Sequence, residues 1–203
     1  MNQVASNRRR WHLAIATLVL WLALAPPAAA QSAAQSPPKF DVSGGYQFMN
    51  LEGDDYKGWY VDFAKTWKNP GLAVVVHVDG GYRPPTVIPF LYGLIITQTE
   101  SVYEMLFGLR VRKRTAAAVM PFGQVLIGTG GGNSSSFIDG RPLGGPSSSG
   151  YPLAVLGGGV NVRVTDRIGV RLRADYGVMF GAGPGTDNTF RVALGLSVPF
   201  GAM

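Results

Sequence analysis

The chain contains no cysteine. Disulfides, thiolate metal sites and a lipid anchor attached through cysteine are therefore excluded. Histidine is nearly as scarce, with only His12 and His77. That is too few for an ordinary transition-metal site, so no metal ion and no cofactor is expected. No apolar run reaches the ~20 residues of a membrane-spanning helix. The longest, Trp11 to Ala25, is flanked on its N-terminal side by Arg8, Arg9 and Arg10. Helical periodicity is sparse throughout. With 28 glycines in 203 residues, the composition points to an all-β chain rich in turns.

The apolar run has a different use. A basic start, an apolar stretch and the small residues Ala28-Ala29-Ala30 form the layout of a secretory signal peptide over residues 1–30. His12 leaves with it, and a membrane-anchoring helix is the alternative. Residues 31–38, QSAAQSPP, are small and polar and read as a flexible lead-in. The remainder, residues 39–200 with a short 201–203 tail, is the length of one domain. Its charge is mild. The formal +6 includes the three signal arginines, and without them +3 remains. That argues against nucleic acid as a partner.

What the mature chain has is alternation. In RIGVRLRADYGVMF, Arg167 to Phe180, the residues Ile168, Val170, Leu172, Ala174, Tyr176 and Val178 alternate with a set that includes Arg171, Arg173 and Asp175. A period of two is that of a strand with two unlike faces. Eight such segments run from Lys39 to Met49, Gly58 to Trp67, Gly71 to Tyr82, Ser101 to Arg112, Ala116 to Gly128, Tyr151 to Val164, Arg167 to Phe180 and Thr189 to Phe200. Each is near or above the 9–11 residues of a tilted membrane strand. Their links alternate in length. KNP, KRT and TDR are short, whereas LEGDDYK, RPPTVIPFLYGLIITQTE, TGGGNSSSFIDGRPLGGPSSSG and GAGPGTDN are long. Parity-sorted links are the mark of an up-and-down barrel crossing an outer membrane, with short turns on the periplasmic side.

One face of the segments carries Phe40, Val42, Tyr46, Phe48, Trp59, Val61, Phe63, Val74, Val76, Val78, Met105, Phe107, Leu109, Leu172, Leu194 and Leu196. The other carries Asp41, Asp62, His77, Asp79, Glu104, Arg110, Arg112, Asn161, Arg163, Arg171, Arg173, Asp175 and Arg191. Opposite charges can pair inside a narrow lumen, so the charged face is assigned inward and the apolar face to lipid. Gln124 is assigned inward with Met120, Phe122 and Leu126 on its face. Lipid offers no partner to an open sheet edge, so the sheet must close, and eight strands leave a lumen that side chains fill. Trp59, Trp67, Tyr82, Tyr103, Tyr151, Tyr176 and Phe200 are placed in the interfacial aromatic belts.

PFGQVLIG (Pro121 to Gly128), LGGGVNVRVTDRIGVRLRADYG (Leu156 to Gly177) and FRVALGLSVPF (Phe190 to Phe200), together with the signal, carry a family likeness. The chain resembles the outer membrane protein β-barrel family, the small barrels similar to the OmpA transmembrane domain and the opacity-type proteins. That resemblance implies an eight-stranded antiparallel transmembrane β-barrel in the outer membrane. It also implies assembly by the outer-membrane machinery, which reads a terminal aromatic. Here Phe200 is followed by Gly201, Ala202 and Met203.

Three functions are open to such a barrel. The first is a non-enzymatic structural or surface-interaction role, with the long loops, above all Thr129 to Gly150, meeting an extracellular ligand. The second is a narrow pore lined by Arg171 and Arg173. The third is a lipid-modifying enzyme centred on His77, with Asp79 two residues on but no serine on the same strand. No catalytic residue is assigned. Glu52, Asp54 and Asp55 read as a solvated acidic tip rather than a calcium site. TGGGN and LGGGV lack the Gly-Lys-Ser/Thr of a phosphate loop. Asn133-Ser134-Ser135 fits a glycosylation pattern with nothing else to support it. In this reading the folded protein runs faster on a gel unheated than heated, and fractionates with the outer membrane. Identical mobility and a soluble fraction would place the apolar face inward instead.

Overall fold

The computed structural model describes residues 38–51, 53–67, 71–89, 94–112, 118–165, 167–181 and 187–202. The signal-peptide assignment, most of the lead-in and the KNP and KRT turns lie outside the described residues.

Eight strands close a barrel: β1 (Pro38–Leu51), β2 (Asp54–Thr66), β3 (Leu72–Pro89), β4 (Ile95–Arg112), β5 (Val119–Ile138), β7 (Ser147–Arg163), β8 (Gly169–Met179) and β9 (Asp187–Ala202). The two-residue β6 (Arg141–Pro142) folds back on the tip of β5, pairing Phe137 with Pro142. Each strand is antiparallel to its neighbours, and β1 closes on β9 from Pro38↔Ala202 to Leu51↔Thr189. The last strand thus continues beyond Phe200 through Ala202. Within the closed cylinder each strand is paired on both sides, the condition for burial in hydrocarbon.

Alternation sorts the faces as expected. Tyr46, Trp59, Val61, Phe63, Val78, Phe107, Leu109, Leu156, Leu194 and Leu196 are exposed on the outside, while Asp41, Asp62, His77, Asp79, Glu104, Arg110, Gln124, Arg171, Arg173, Asp175 and Arg191 are buried within. Tyr151 corrects the belt. It is 7% exposed and faces the lumen, because it shares parity with Leu153 and Val155 rather than with Leu156. Apolar residues also line the interior, among them Leu106, Leu126, Leu153 and Met179. They fill the space that the ion pairs leave.

The links need a larger correction. LEGDDYK is no long loop: Asn50 pairs with Asp55 and Leu51 with Asp54, and Gly53 takes φ 99° in the turn. The segment from Arg83 to Glu100 is mostly hairpin, paired to Pro89↔Ile95, with a register shift between Arg83 and Thr86 that absorbs Pro84 and Pro85. Between Thr129 and Gly150, β5 runs to Ile138 and β7 resumes at Ser147. Glycine, serine and proline disguised these stretches, yet their neighbours complete the ladder. Pairing of β7 with β8 ends at Leu153↔Met179, and of β2 with β3 at Lys57↔Tyr82, whereas β4 pairs with β5 up to Ile96↔Ile138. Strands β3, β4, β5 and β7 therefore rise past the rim as a sheet, β5 by ten residues, roughly 33 Å along the strand.

Close approach at the seam depends on glycine. Gly45 faces Gly195 across β1 and β9. A Cβ at Gly45 falls 2.2 Å from the Leu194 carbonyl oxygen, and one at Gly195 falls 2.5 Å from the Tyr60 hydroxyl. We expect Gly195→Val to lose ~2 kcal/mol or more, or to abolish the unheated fast band, as overpacking does. Gly150→Ala, whose Cβ meets nothing closer than 3.8 Å, leaves urea unfolding in vesicles unchanged within about 0.5 kcal/mol.

Candidate functional site

The lumen is organised around one carboxylate. Asp62 is the inward residue between Trp59-Tyr60-Val61 and Phe63 on β2, and it is fully buried. Its Oδ1 lies 2.5 Å from His77 Nδ1 and 3.3 Å from Arg173 Nη1. Its Oδ2 lies 2.7 Å from Arg110 Nη2 and 3.0 Å from Arg171 Nη1, and accepts the Ser43 hydroxyl at 3.2 Å. Residues of β1, β3, β4 and β8 thus meet at a single group on β2.

The network continues in both directions. Arg171 donates to Asp41 at 2.5 Å, to Asn161 at 2.7 Å and to the Ser43 hydroxyl. Arg173 Nε pairs with Asp175 at 2.7 Å, and Gln124 links Asp175 to Arg110, donating at 3.0 Å and accepting at 2.7 Å. Toward the extracellular side, His77 Nε2 lies 2.8 Å from Asp79, and Arg191 bridges Asp79 at 3.2 Å and Glu104 at 2.6 Å. The Tyr151 hydroxyl donates to Glu104 at 3.5 Å. Aromatic faces complete the packing: Phe122 meets the guanidiniums of Arg110 and Arg171 at 4.8 and 5.3 Å, and Tyr60 that of Arg173 at 4.5 Å.

His77 is therefore placed as the alternation required, but both ring nitrogens sit on carboxylate oxygens and its side chain is 1% exposed. Arg173 Nη1 lies 3.2 Å from the same Nδ1. Arg171 and Arg173, the proposed pore lining, are at most 1% exposed. At the outer rim Arg83 donates to Asp54 at 2.8 Å and to Glu100 at 3.3 Å, and Tyr56 donates to Glu100 at 2.8 Å. Asp55 instead accepts from Asn50 at 2.7 Å. Asp54 and Asp55 are thus spent on separate partners; Glu52 lies outside the described residues. Among the described residues no three acids or histidines gather as metal ligands.

Sequence reasoning found the inward set but not the centre. Asp62 was one inward charge among several, and Ser43, Gln47 and Tyr60 carried no signal beyond their parity. Gln47 accepts from Arg173 at 3.3 Å.

A closed antiparallel barrel of eight strands, apolar toward lipid and ion-paired within, is a transmembrane β-barrel, and the fold is that of the small outer-membrane barrels. Its particular likeness is to the Neisserial surface protein A, with a TM-score of 0.60 at 13% identity, covering 82% of this chain and 100% of that one. The attachment invasion locus protein Ail of Yersinia pestis is similar at a TM-score of 0.55 and 15% identity, covering 81% and 99%. Ail has also been solved in complex with the heparin analogue sucrose octasulfate. No family model matches the chain, and no curated relative does. The shared fold and the lipid-facing belt place the chain in the outer membrane.

Removing one partner from a buried ion network leaves the others uncompensated. Asp62→Asn should destabilise the folded barrel by about 3–5 kcal/mol in urea titrations. Asp55→Asn, at the exposed rim, should stay within about 0.5 kcal/mol.

Proposed function

We propose that the chain is a non-enzymatic outer-membrane protein with a structural or surface-interaction role, and that its contact surface is the projecting sheet of β3, β4, β5 and β7. The observation that carries this reading is the sheet itself: four strands continue their pairing beyond the rim, where barrel closure no longer requires it. An ordered platform costs less conformational entropy on binding than a floppy loop does.

Its chemistry narrows the ligand. The lower part presents hydroxyls and amides from Gln98, Thr99, Ser101, Asn133, Ser135 and Ser148. The tip exposes Val87, Ile88, Leu94, Ile95 and Leu143. Arg83 is tied to Asp54 and Glu100, and Arg141 faces Ile138 at the distal end. A polyanion such as the sulfated sugar held by Ail needs clustered free cations. This surface favours an uncharged polar and apolar partner, a protein face or a neutral glycan.

The burial of the lumen supports the same reading over its rivals. A conducting pathway exposes its lining to water, and the four central arginines are each at most 1% exposed. A general base needs access to substrate, and His77 is occupied on both nitrogens. The outer-membrane assembly machinery remains an expected partner through β9, where Phe200 faces outward and stacks on Phe40 at 5.4 Å.

Replacing residues 134–147 by a short Gly-Ser turn tests the proposal. We expect adhesion of expressing cells to host-surface or matrix preparations to fall to the level of cells lacking the protein, while the heat-dependent gel shift persists. Planar bilayers should stay silent. Conductance steps that change with Arg171→Ala would replace this reading with the pore.

A further inference from the structure

The two ends of the barrel differ in charge, and the periplasmic end holds a feature that neither adhesion nor closure uses. Phe40, at the start of β1, pairs across the sheet with Lys65 on one side and with Phe200 on the other. Its ring stacks on Phe200 at 5.4 Å and lies 5.8 Å from that of Phe63. Two ammonium groups converge on this shelf: Lys39 Nζ lies 5.8 Å and Lys65 Nζ 6.0 Å from the Phe40 centroid. Their separation is thus at most 11.8 Å, within the swing of two flexible side chains closing on one anion.

Lys65 has the parity of Phe63, so its stem runs along the lipid face. A lysine there is costly at the bilayer centre and nearly free at the interface. Its position therefore marks the level where headgroups begin, and its ammonium reaches into them. Among the described residues neither lysine is ion-paired. The acids that come nearest in the strands are committed inward, Asp41 to Arg171 at 2.5 Å and Asp62 to its own cluster. Arg163 and Arg167 add positive charge to the same end, whereas the other end carries Asp54, Asp55, Glu100, Asp139 and Asp187 against Lys57, Arg83 and Arg141.

We infer that the β9–β1–β2 seam at the periplasmic end binds a net-anionic glycerophospholipid of the inner leaflet, its phosphate held between Lys39 and Lys65 and its acyl chain along Phe63, Val42 and Val198. A stacked aromatic shelf receives the glycerol and upper chain. The two ammoniums supply the charge that a zwitterionic lipid would neutralise with its own amine. Such a lipid ties together the two strands that close the barrel and the strand beside them.

The test uses the whole folded barrel in phosphatidylcholine bilayers carrying trace spin-labelled lipids, read as the fraction immobilised at the protein. Near a membrane surface each basic residue contributes about 1 kcal/mol, a factor of about five. The wild type should therefore retain labelled phosphatidylglycerol several-fold over labelled phosphatidylcholine, and 1 M salt should reduce the ratio. The double variant Lys39→Gln/Lys65→Gln should bring it close to one. Lys39→Arg/Lys65→Arg should restore it, and Lys57→Gln at the opposite rim should leave it high. The gel shift reports that each variant is folded. A wild-type ratio near one overturns the proposal, as does a preference that survives the double glutamine variant.

Discussion

Everything inside this barrel leans on the Asp62 carboxylate. Three guanidiniums and an imidazole crowd its two oxygens; the imidazole comes from the adjacent β3, the guanidiniums from β4 and β8, which do not pair with β2. Arg171 and Asp62 are 109 residues apart in sequence, and Arg173 and Asp62 are 111 apart. Contacts of that kind exist only when the cylinder is closed. A buried ion pair gains little over a well-packed apolar pair, since desolvation offsets most of the attraction. Its use here is to define an arrangement: a one-residue slip in any strand turns its charged residue out to lipid, where it has no partner at all.

The guanidiniums need room, and the sequence makes it with glycine on the same face. Arg173 faces Gly159 across β7 and β8, Asp175 faces Gly157, and Arg171 faces Gly195 across β8 and β9. A Cβ at Gly157 would lie 1.7 Å from an Asp175 oxygen. Large charged side chains opposite missing ones can share one narrow lumen. The Gly-rich LGGGV stretch is thus the counterpart of the RLRAD stretch that follows it.

The barrel was legible because lipid imposes a strict rule. Outward residues between the interfaces had to be apolar, so the alternation survived in most segments; it blurred in β5, where Met120, Phe122 and Leu126 share the face of Gln124, which is buried as assigned. What lay beyond the bilayer was not legible, since that rule stops there. Above the rim both faces of a strand meet water, the period of two fades, and Ser134-Ser135-Ser136 or Pro84-Pro85 read as loop although the strands go on pairing. Tyr151 was misplaced for a related reason: an aromatic near a strand end suits the interfacial belt by residue type, and only its parity with Leu153 and Val155 tells otherwise. The centrality of Asp62 was out of reach because it depends on how strands meet across the lumen, which the hydrophobic pattern does not encode.

The same boundary explains how the protein divides its tasks. Between the two interfaces the residues are fixed by solvent on one side and charge pairing on the other, and little freedom remains for function. Freedom returns at the ends, and the two ends use it differently. On the extracellular side the strands overrun the membrane, keep their hydrogen bonds and expose hydroxyl and apolar groups, with Arg83 tied to Asp54 and Glu100. On the periplasmic side the described strands end soon after Lys39 and Lys65, which have no acidic partner among the described residues. In the proposed reading the two ends are the surfaces through which the barrel acts, the outer one toward an uncharged partner and the inner one toward an anionic lipid.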